Sequence, residues 1–145
     1  MDKDTTRKLE ERLIQIDSED KLAGYLDDLE SFSKYDGFSE YYESLDKVKN
    51  KATAEIVKAS GIERSYCYQI LNGTRPNPGR EKIIRLCLAA QLSLKETLRA
   101  LKTGNEAVLY ARNKRDAIII FAIEHELSCE DTNLLLDQFN EKPLE

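Results

Sequence analysis

Apolar residues recur along the chain at three- and four-residue spacing, with charged residues between them. This is the periodicity of amphipathic helices. Leu9, Leu13 and Ile16, then Leu22, Leu26 and Leu29, predict two short helices at about 6–16 and 18–30. The run from Ser31 to Gly37 breaks the pattern and reads as a turn or linker. Ser39 is placed to cap a helix reaching about Asn50, with Tyr42, Leu45 and Val48 on one face. Two helices follow at 53–60 and 63–72. Asn77-Pro78 then reads as a start signal, Asn as N-cap and Pro at the first helical position, opening a helix with Ile83, Ile84, Cys87 and Leu88 inward. Ser93-Leu94-Lys95-Glu96 has the form of a capping box. The helix it starts carries the stripe Leu94, Leu98, Leu101 and ends before Gly104. Asn113 with Asp116 predicts a cap for 114–126, whose interior Ala117–Ala122 is apolar nearly all round and therefore needs cover on most sides. Ser128 caps a last helix to about residue 140, with Leu134, Leu135 and Phe139 as its contacts. Ile118–Phe121 has β-propensity, but no partner strand or hairpin signal accompanies it, so the expected class is all-α.

Residues 53–73 differ from the rest in what they offer. A short helix ends at Gly61, where a tight turn needs positive φ, and Ile62 plugs the core immediately after it. Ile56 and Val57 on the first helix face Cys67 and Ile70 on the second, and Asn72-Gly73 ends the second. Two helices joined by a tight Gly turn, the second led by polar residues, have the geometry that sets a recognition helix in a major groove.

Charge sharpens this picture. The net charge of −5 argues against nucleic acid on average, but it is segregated. Residues 1–46 carry 6 basic and 14 acidic side chains, residues 47–85 carry 9 and 3, and residues 86–145 carry 7 and 10. A basic middle between acidic flanks is a local footprint for a polyanion; a solvated face balancing the acidic N-terminus is the plainer alternative. The expected organisation is an acidic amphipathic segment (1–37), a helix-turn-helix domain (38–104) and a helical C-terminal extension (105–145).

Other chemistry is sparse. Cys67, Cys87 and Cys129 are odd in number and form no Cys-x-x-Cys pair, so they read as buried free thiols. The single histidine, His125, reads as a helix-end residue, since Glu124 and Glu126 flank it on different faces. No Gly-rich phosphate loop, Ser-His-Asp set or metal-ligand spacing is present, so neither an enzyme nor a cofactor or metal is expected. The charged opening Met1-Asp2-Lys3-Asp4 does not resemble a signal peptide, and no window has the roughly 18 apolar residues of a membrane span. A cytoplasmic location is expected.

The short helix, Gly61-Ile62, the second helix, Gly73-x-Arg75 and a Pro before the next helix together resemble the XRE family of phage-repressor-like regulators, over about residues 39–102. Ser65-Tyr66-Cys67-Tyr68-Gln69-Ile70 with Gly73-Thr74-Arg75 is similar to a bacterial subgroup with an acidic helical N-terminal segment. Its C-terminal extension resembles Leu109-Tyr110 through Ile119. The resemblance implies a five-helix lambda-repressor-like domain with added N- and C-terminal helices, binding double-stranded DNA as a homodimer. The chain departs from the family at Thr53, where many members have Gln, at Val57, where a small Ala is usual, and in an Arg75–Pro78 connection one residue longer than common. Carried over by position, the resemblance assigns base edges to Glu63, Arg64, Ser65 and Gln69, and phosphates to Lys51, Thr53, Tyr68, Arg75 and Arg80. Arg64 suits guanine O6 and N7, Gln69 suits adenine N6 and N7, and Glu63 either accepts from cytosine N4 or steadies the helix start. Tyr66 is expected inside, with Tyr68 open. Arg75 alternatively caps the helix ending at Gly73.

Two further readings stay open. The helix at 128–140 either buries surface between subunits or closes the core of its own chain. The main rival function is a protein-protein interaction module that presents acidic surfaces to a basic partner. The acidic N-terminal helices also suggest an intramolecular contact, folding over the basic face and competing with DNA, because tethering gives a high effective concentration. On that idea, deleting residues 1–36 tightens duplex binding at moderate salt in a filter-binding titration; an unchanged affinity removes it.

Overall fold

A computed structural model describes residues 18–24, 26 and 35–145. The chain divides into two compact units, Met1–Tyr35 and Asp36–Glu145. In the first, residues 19–24 and 26 are helical, and the Ser18 hydroxyl accepts from the Lys21 N–H at 3.2 Å. The helix expected at 6–16 lies outside the described residues.

The second unit contains α1 (Phe38–Ser44), α2 (Asp46–Lys49), α3 (Thr53–Ser60), α4 (Arg64–Leu71), α5 (Arg80–Ala89), α6 (Leu94–Thr103), α7 (Lys114–Glu124) and α8 (Cys129–Gln138). No strand occurs among the described residues. Helix α5 is the hub, packed against α3, α6 and α8. Its Ile83, Ile84, Cys87 and Leu88 are buried, as the spacing predicts, and so is Leu86, which the spacing did not single out. Tyr42 from α1 is fully buried beside it and donates its hydroxyl to the Leu86 carbonyl at 2.8 Å, which satisfies the one polar atom of an otherwise apolar contact.

The expected caps at Ser93, Asn113 and Ser128 are present. Ser93 and Glu96 form a reciprocal capping box, Asn113 accepts from the Asp116 N–H, and Ser128 accepts from the Asp131 N–H. Three expectations change. The helix placed at 39–50 is broken at Leu45, which is extended (φ −78°, ψ 134°), and it starts behind Gly37, so Ser39 lies inside its first turn. Asn77-Pro78 does not open α5; Gly79 intervenes at φ +97°, Pro78 is buried, and Arg80 is the first helical residue. Helix α7 is not covered on most sides: Ile119, Ala122 and Ile123 are buried, but Phe121 is 48% exposed.

Helices α5 to α8 end alike. Gln91, Asn105, Glu126 and Asn140 take left-handed φ between 54° and 61°. The residue after each donates its N–H back into the last turn, as Leu92 does to Cys87 (3.0 Å) and Leu127 to Ala122 (2.9 Å). Gly104 precedes one of these and has an ordinary φ of −83°. Its lack of a side chain matters for space, since a Cβ there would lie 2.5 Å from Ile83 Cδ1.

Arginines fasten residues 105–145 to α5. Arg80 donates to the carbonyls of Ala107 (2.9 Å) and Val108 (3.2 Å) and to the carboxylate of Asp116 (2.9 Å), which also accepts the Tyr110 N–H (3.0 Å). Arg115 grips Glu81 bidentately and donates to the Lys142 and Pro143 carbonyls. Burial pushes the Glu81 carboxyl up, but the Arg115 hydrogen bond and charge outweigh it and hold the group below its ordinary value. Asp116 is only 7% exposed. Asp116→Ala, which strands the Arg80 guanidinium, is expected to lower stability by about 3 kcal/mol. Urea unfolding should show this as a lower midpoint at unchanged slope; a loss of under about 1 kcal/mol would mean the pair is solvated.

Candidate nucleic-acid interface

The α3–α4 pair is built around a buried serine and a left-handed glycine. Ser60, fully buried at the end of α3, donates its hydroxyl to the Val57 carbonyl (2.7 Å) and accepts from the Ile62 N–H (3.2 Å). Gly61 follows at φ +68°, ψ 8°. Its backbone conformation favours glycine, and a Cβ on it would lie 2.8 Å from Arg85 Nη1, so that guanidinium would have to shift. Ile62 then turns inward, and Ile56, Val57, Cys67 and Ile70 form the buried seam expected between the two helices.

Glu63 is the N-cap of α4. Its two carboxylate oxygens accept from the N–H groups of Ser65 (3.0 Å) and Tyr66 (2.8 Å). These bonds, Tyr66 first and Ser65 second, hold the carboxyl below its ordinary value. Of the two readings for Glu63, the geometry is that of the helix-start residue. Arg64 and Ser65 are exposed on the first turn. The Arg64 guanidinium stands 5.9 Å from the centre of the half-buried Tyr68 ring.

One turn on, Gln69 is half-buried and its Oε1 accepts from Arg75 Nε at 2.6 Å. The backbone N–H of Arg75 also closes the end of α4 on the Gln69 carbonyl (3.0 Å), so the capping anticipated for this residue comes from its main chain. The Arg75 guanidinium lies 4.6 Å from the centre of the Tyr66 ring, and Lys82 Nζ lies 5.6 Å from it. Tyr66 is therefore half-buried beneath two cations, not inside as expected. Lys51 is half-buried, and Thr53 is exposed as the first residue of α3.

Arg80 is engaged within the chain. Expected to meet phosphate, it is turned onto the extension instead, where two carbonyls and the Asp116 carboxylate take its protons and leave its side chain 22% exposed. A guanidinium with its own carboxylate gains little by leaving it for another anion. The structure thus brings Arg64 to Tyr68 and Gln69 to Arg75, and Arg80 to residues 107–116. Sequence reasoning missed Ser60 and Arg85. A small polar residue directly before a helix-ending Gly hints at the first. Nothing local marks the second, whose partners lie 25, 59 and 60 positions away.

Elsewhere the chemistry is quiet. All three cysteines are buried free thiols. Burial pushes Cys87 up to about 12 and Cys129 to about 11, so neither forms a thiolate near neutral pH. His125 is the C-cap of α7, with Nδ1 2.9 Å from the Phe121 carbonyl and its ring stacked on Phe121. Among the described residues no group of three His, Cys, Asp or Glu side chains is arranged to hold a metal, and no helix is long and apolar enough to cross a membrane. No family model, curated protein or solved structure matches the chain.

The Glu63 cap has a pH signature. Its carboxyl is depressed in the fold, so the stability it supplies is present above the unfolded value, roughly 4.3, and is lost as pH falls through the lower folded value. Thermal melts of Glu63→Gln and the parent are expected to differ at pH 7 and to converge as pH drops below about 4. A gap that stays constant to pH 3 would show that the charge has no part in the cap.

Proposed function

We propose that this chain is a sequence-specific regulator of the helix-turn-helix type that binds double-stranded DNA as a homodimer, without a cofactor. The observation that carries this reading is the first turn of α4. It presents Arg64 and Ser65 to solvent from a turn fixed by Ser60, Gly61 and the Glu63 cap. Side chains held from behind in this way meet base edges without first having to be ordered.

In this reading Arg64 donates two bonds to guanine O6 and N7. Arg75, bonded to Gln69 Oε1, orients that amide so that its NH₂ is left to donate to a base. Ser65 adds a shorter contact. Lys51, Thr53, Tyr68 and the outer nitrogens of Arg75 supply the phosphate contacts that set register. Glu63 and Arg80 serve the protein's own frame.

One such module spans a half-site, so two copies suit a two-fold operator. An apolar groove of about 450 Å³ between α7 and α8, lined by Ala117, Ile118, Phe121, Leu135 and Phe139, offers a second copy a contact. Phe121 and Phe139 remain 48% and 45% exposed there. Leu136 is fully buried in its own chain, so the last helix has both a core side and an open side.

Selection from random duplexes with the purified protein tests these points together. The expected result is a two-fold site, bound with a log–log salt slope of roughly −0.9 per phosphate neutralised. Arg64→Ala is expected to lose about 1–3 kcal/mol of discrimination at one position of each half-site, while Arg75→Ala weakens all sequences and also relaxes preference at the position that Gln69 meets. No enrichment, together with no salt-dependent binding, would remove the regulator reading and favour a protein-binding scaffold.

A further inference from the structure

Arg85, one turn after Glu81 on α5, bonds to both the turn before α4 and residues 144 and 145. Its Nη1 donates to the Ser60 carbonyl at 3.1 Å, the residue immediately before Gly61. Its Nη2 donates to the Leu144 carbonyl at 2.6 Å and its Nε to the Glu145 carbonyl at 2.8 Å. Residues 141–145 form a strap that is itself well held. Leu144 is 3% exposed and its N–H bonds to Asn133 Oδ1 of α8 at 2.7 Å, while Arg115 takes the carbonyls of Lys142 and Pro143. Glu145 lines a cleft of about 300 Å³ with Gly61, Glu63, Tyr66 and Lys82, so the strap reaches the start of α4 itself.

We infer that Arg85 is a positioning residue for α4, and that the strap on its other two nitrogens makes the C-terminal extension a determinant of how α4 meets DNA; this rests on the DNA-binding reading above. A guanidinium is planar and its three nitrogens keep fixed angles. Strap carbonyls on Nε and Nη2 therefore fix where Nη1 points, and Nη1 sits against the backbone of the turn, with Gly61 supplying the room. A lysine ammonium has no such plane and cannot hold three carbonyls on two segments in register. Loss of the strap frees the fork to rotate, and the turn loses the bond that sets the tilt of the reading helix. A displacement of about 1 Å there is enough to misalign base-edge hydrogen bonds.

The test uses the full chain with Arg85→Met, Arg85→Lys and Leu144→Asp, and two readouts. Amide hydrogen exchange without DNA is expected to accelerate about tenfold at residues 61–66 in Arg85→Met and Leu144→Asp, with the buried amides of α5 and α6 unchanged, and to be partly restored in Arg85→Lys. Affinity for a duplex enriched in the random selection is expected to fall about tenfold in the same two variants, at constant salt slope and with random-duplex affinity unchanged. Unchanged exchange at 61–66 overturns the inference whatever DNA does. So does faster exchange with intact duplex selectivity. Equal loss on both duplexes with a shallower salt slope overturns it as well, by making Arg85 a phosphate contact. If exchange responds but no form of the protein binds duplex, the DNA-binding reading fails and the coupling of strap to turn stands.

Discussion

Charge on the outer side of α5 must be neutralised within the fold, and most of the architecture follows from how that is done. One side of this helix is apolar and fully buried through Ile83, Ile84, Leu86 and Cys87. The other carries Arg80, Glu81 and Arg85, and each is bonded to residues from 105–145: Arg80 to the 107–116 stretch, Glu81 to Arg115, and Arg85 to the strap. Charges drawn partly out of water are less costly with partners in place. Residues 105–145 thus form a counter-surface to α5 that supplies oxygen acceptors to its arginines and a guanidinium to Glu81.

This arrangement also changes the electrostatics. The stretch 47–85 carries nine cations, but Arg80 and Arg85 are turned onto the chain itself, and Lys47 is paired with Glu96 at 2.9 Å. The field available to a polyanion is consequently weaker and more local than the composition suggests. Of the six that remain, Lys49, Lys51 and Lys58 lie on or near α2 and α3, and Arg64, Arg75 and Lys82 lie against the rings of Tyr66 and Tyr68. Cations lying on aromatic faces lose less conformational freedom on meeting a ligand than cations swinging in solvent.

Rigidity at the turn comes from small local groups. The Ser60 hydroxyl bridges the last turn of α3 and the first residue past Gly61, and Glu63 satisfies two of the orphan amides of α4. Neither device uses the face that α4 turns outward, so the exposed first turn is stiffened without being covered.

Local information settled a good deal. Periodicity placed α3, α4, α6, α7 and α8 close to where they are, because each buries one stripe, and α6, α7 and α8 start at side-chain caps whose chemistry acts over three residues, at Ser93, Asn113 and Ser128. The seam of Ile56, Val57, Cys67 and Ile70 and the left-handed Gly61 were legible for the same reason. The start of α5 was not, since a left-handed Gly79 overrides the Asn-Pro signal, nor was the fate of Arg80. Whether a cation faces solvent or a carboxylate depends on acceptors brought in from 25 to 60 positions away, as with Arg80 and Arg85. Spacing along the chain carries no record of that, because the helical repeat reports which side of a helix is apolar and not what is packed against its polar side. Most of the helices, and the caps at Ser93, Asn113 and Ser128, were thus determined by local sequence. Which basic residues are left exposed, and what bonds to the turn before α4, was decided only when residues 105–145 folded back onto α5.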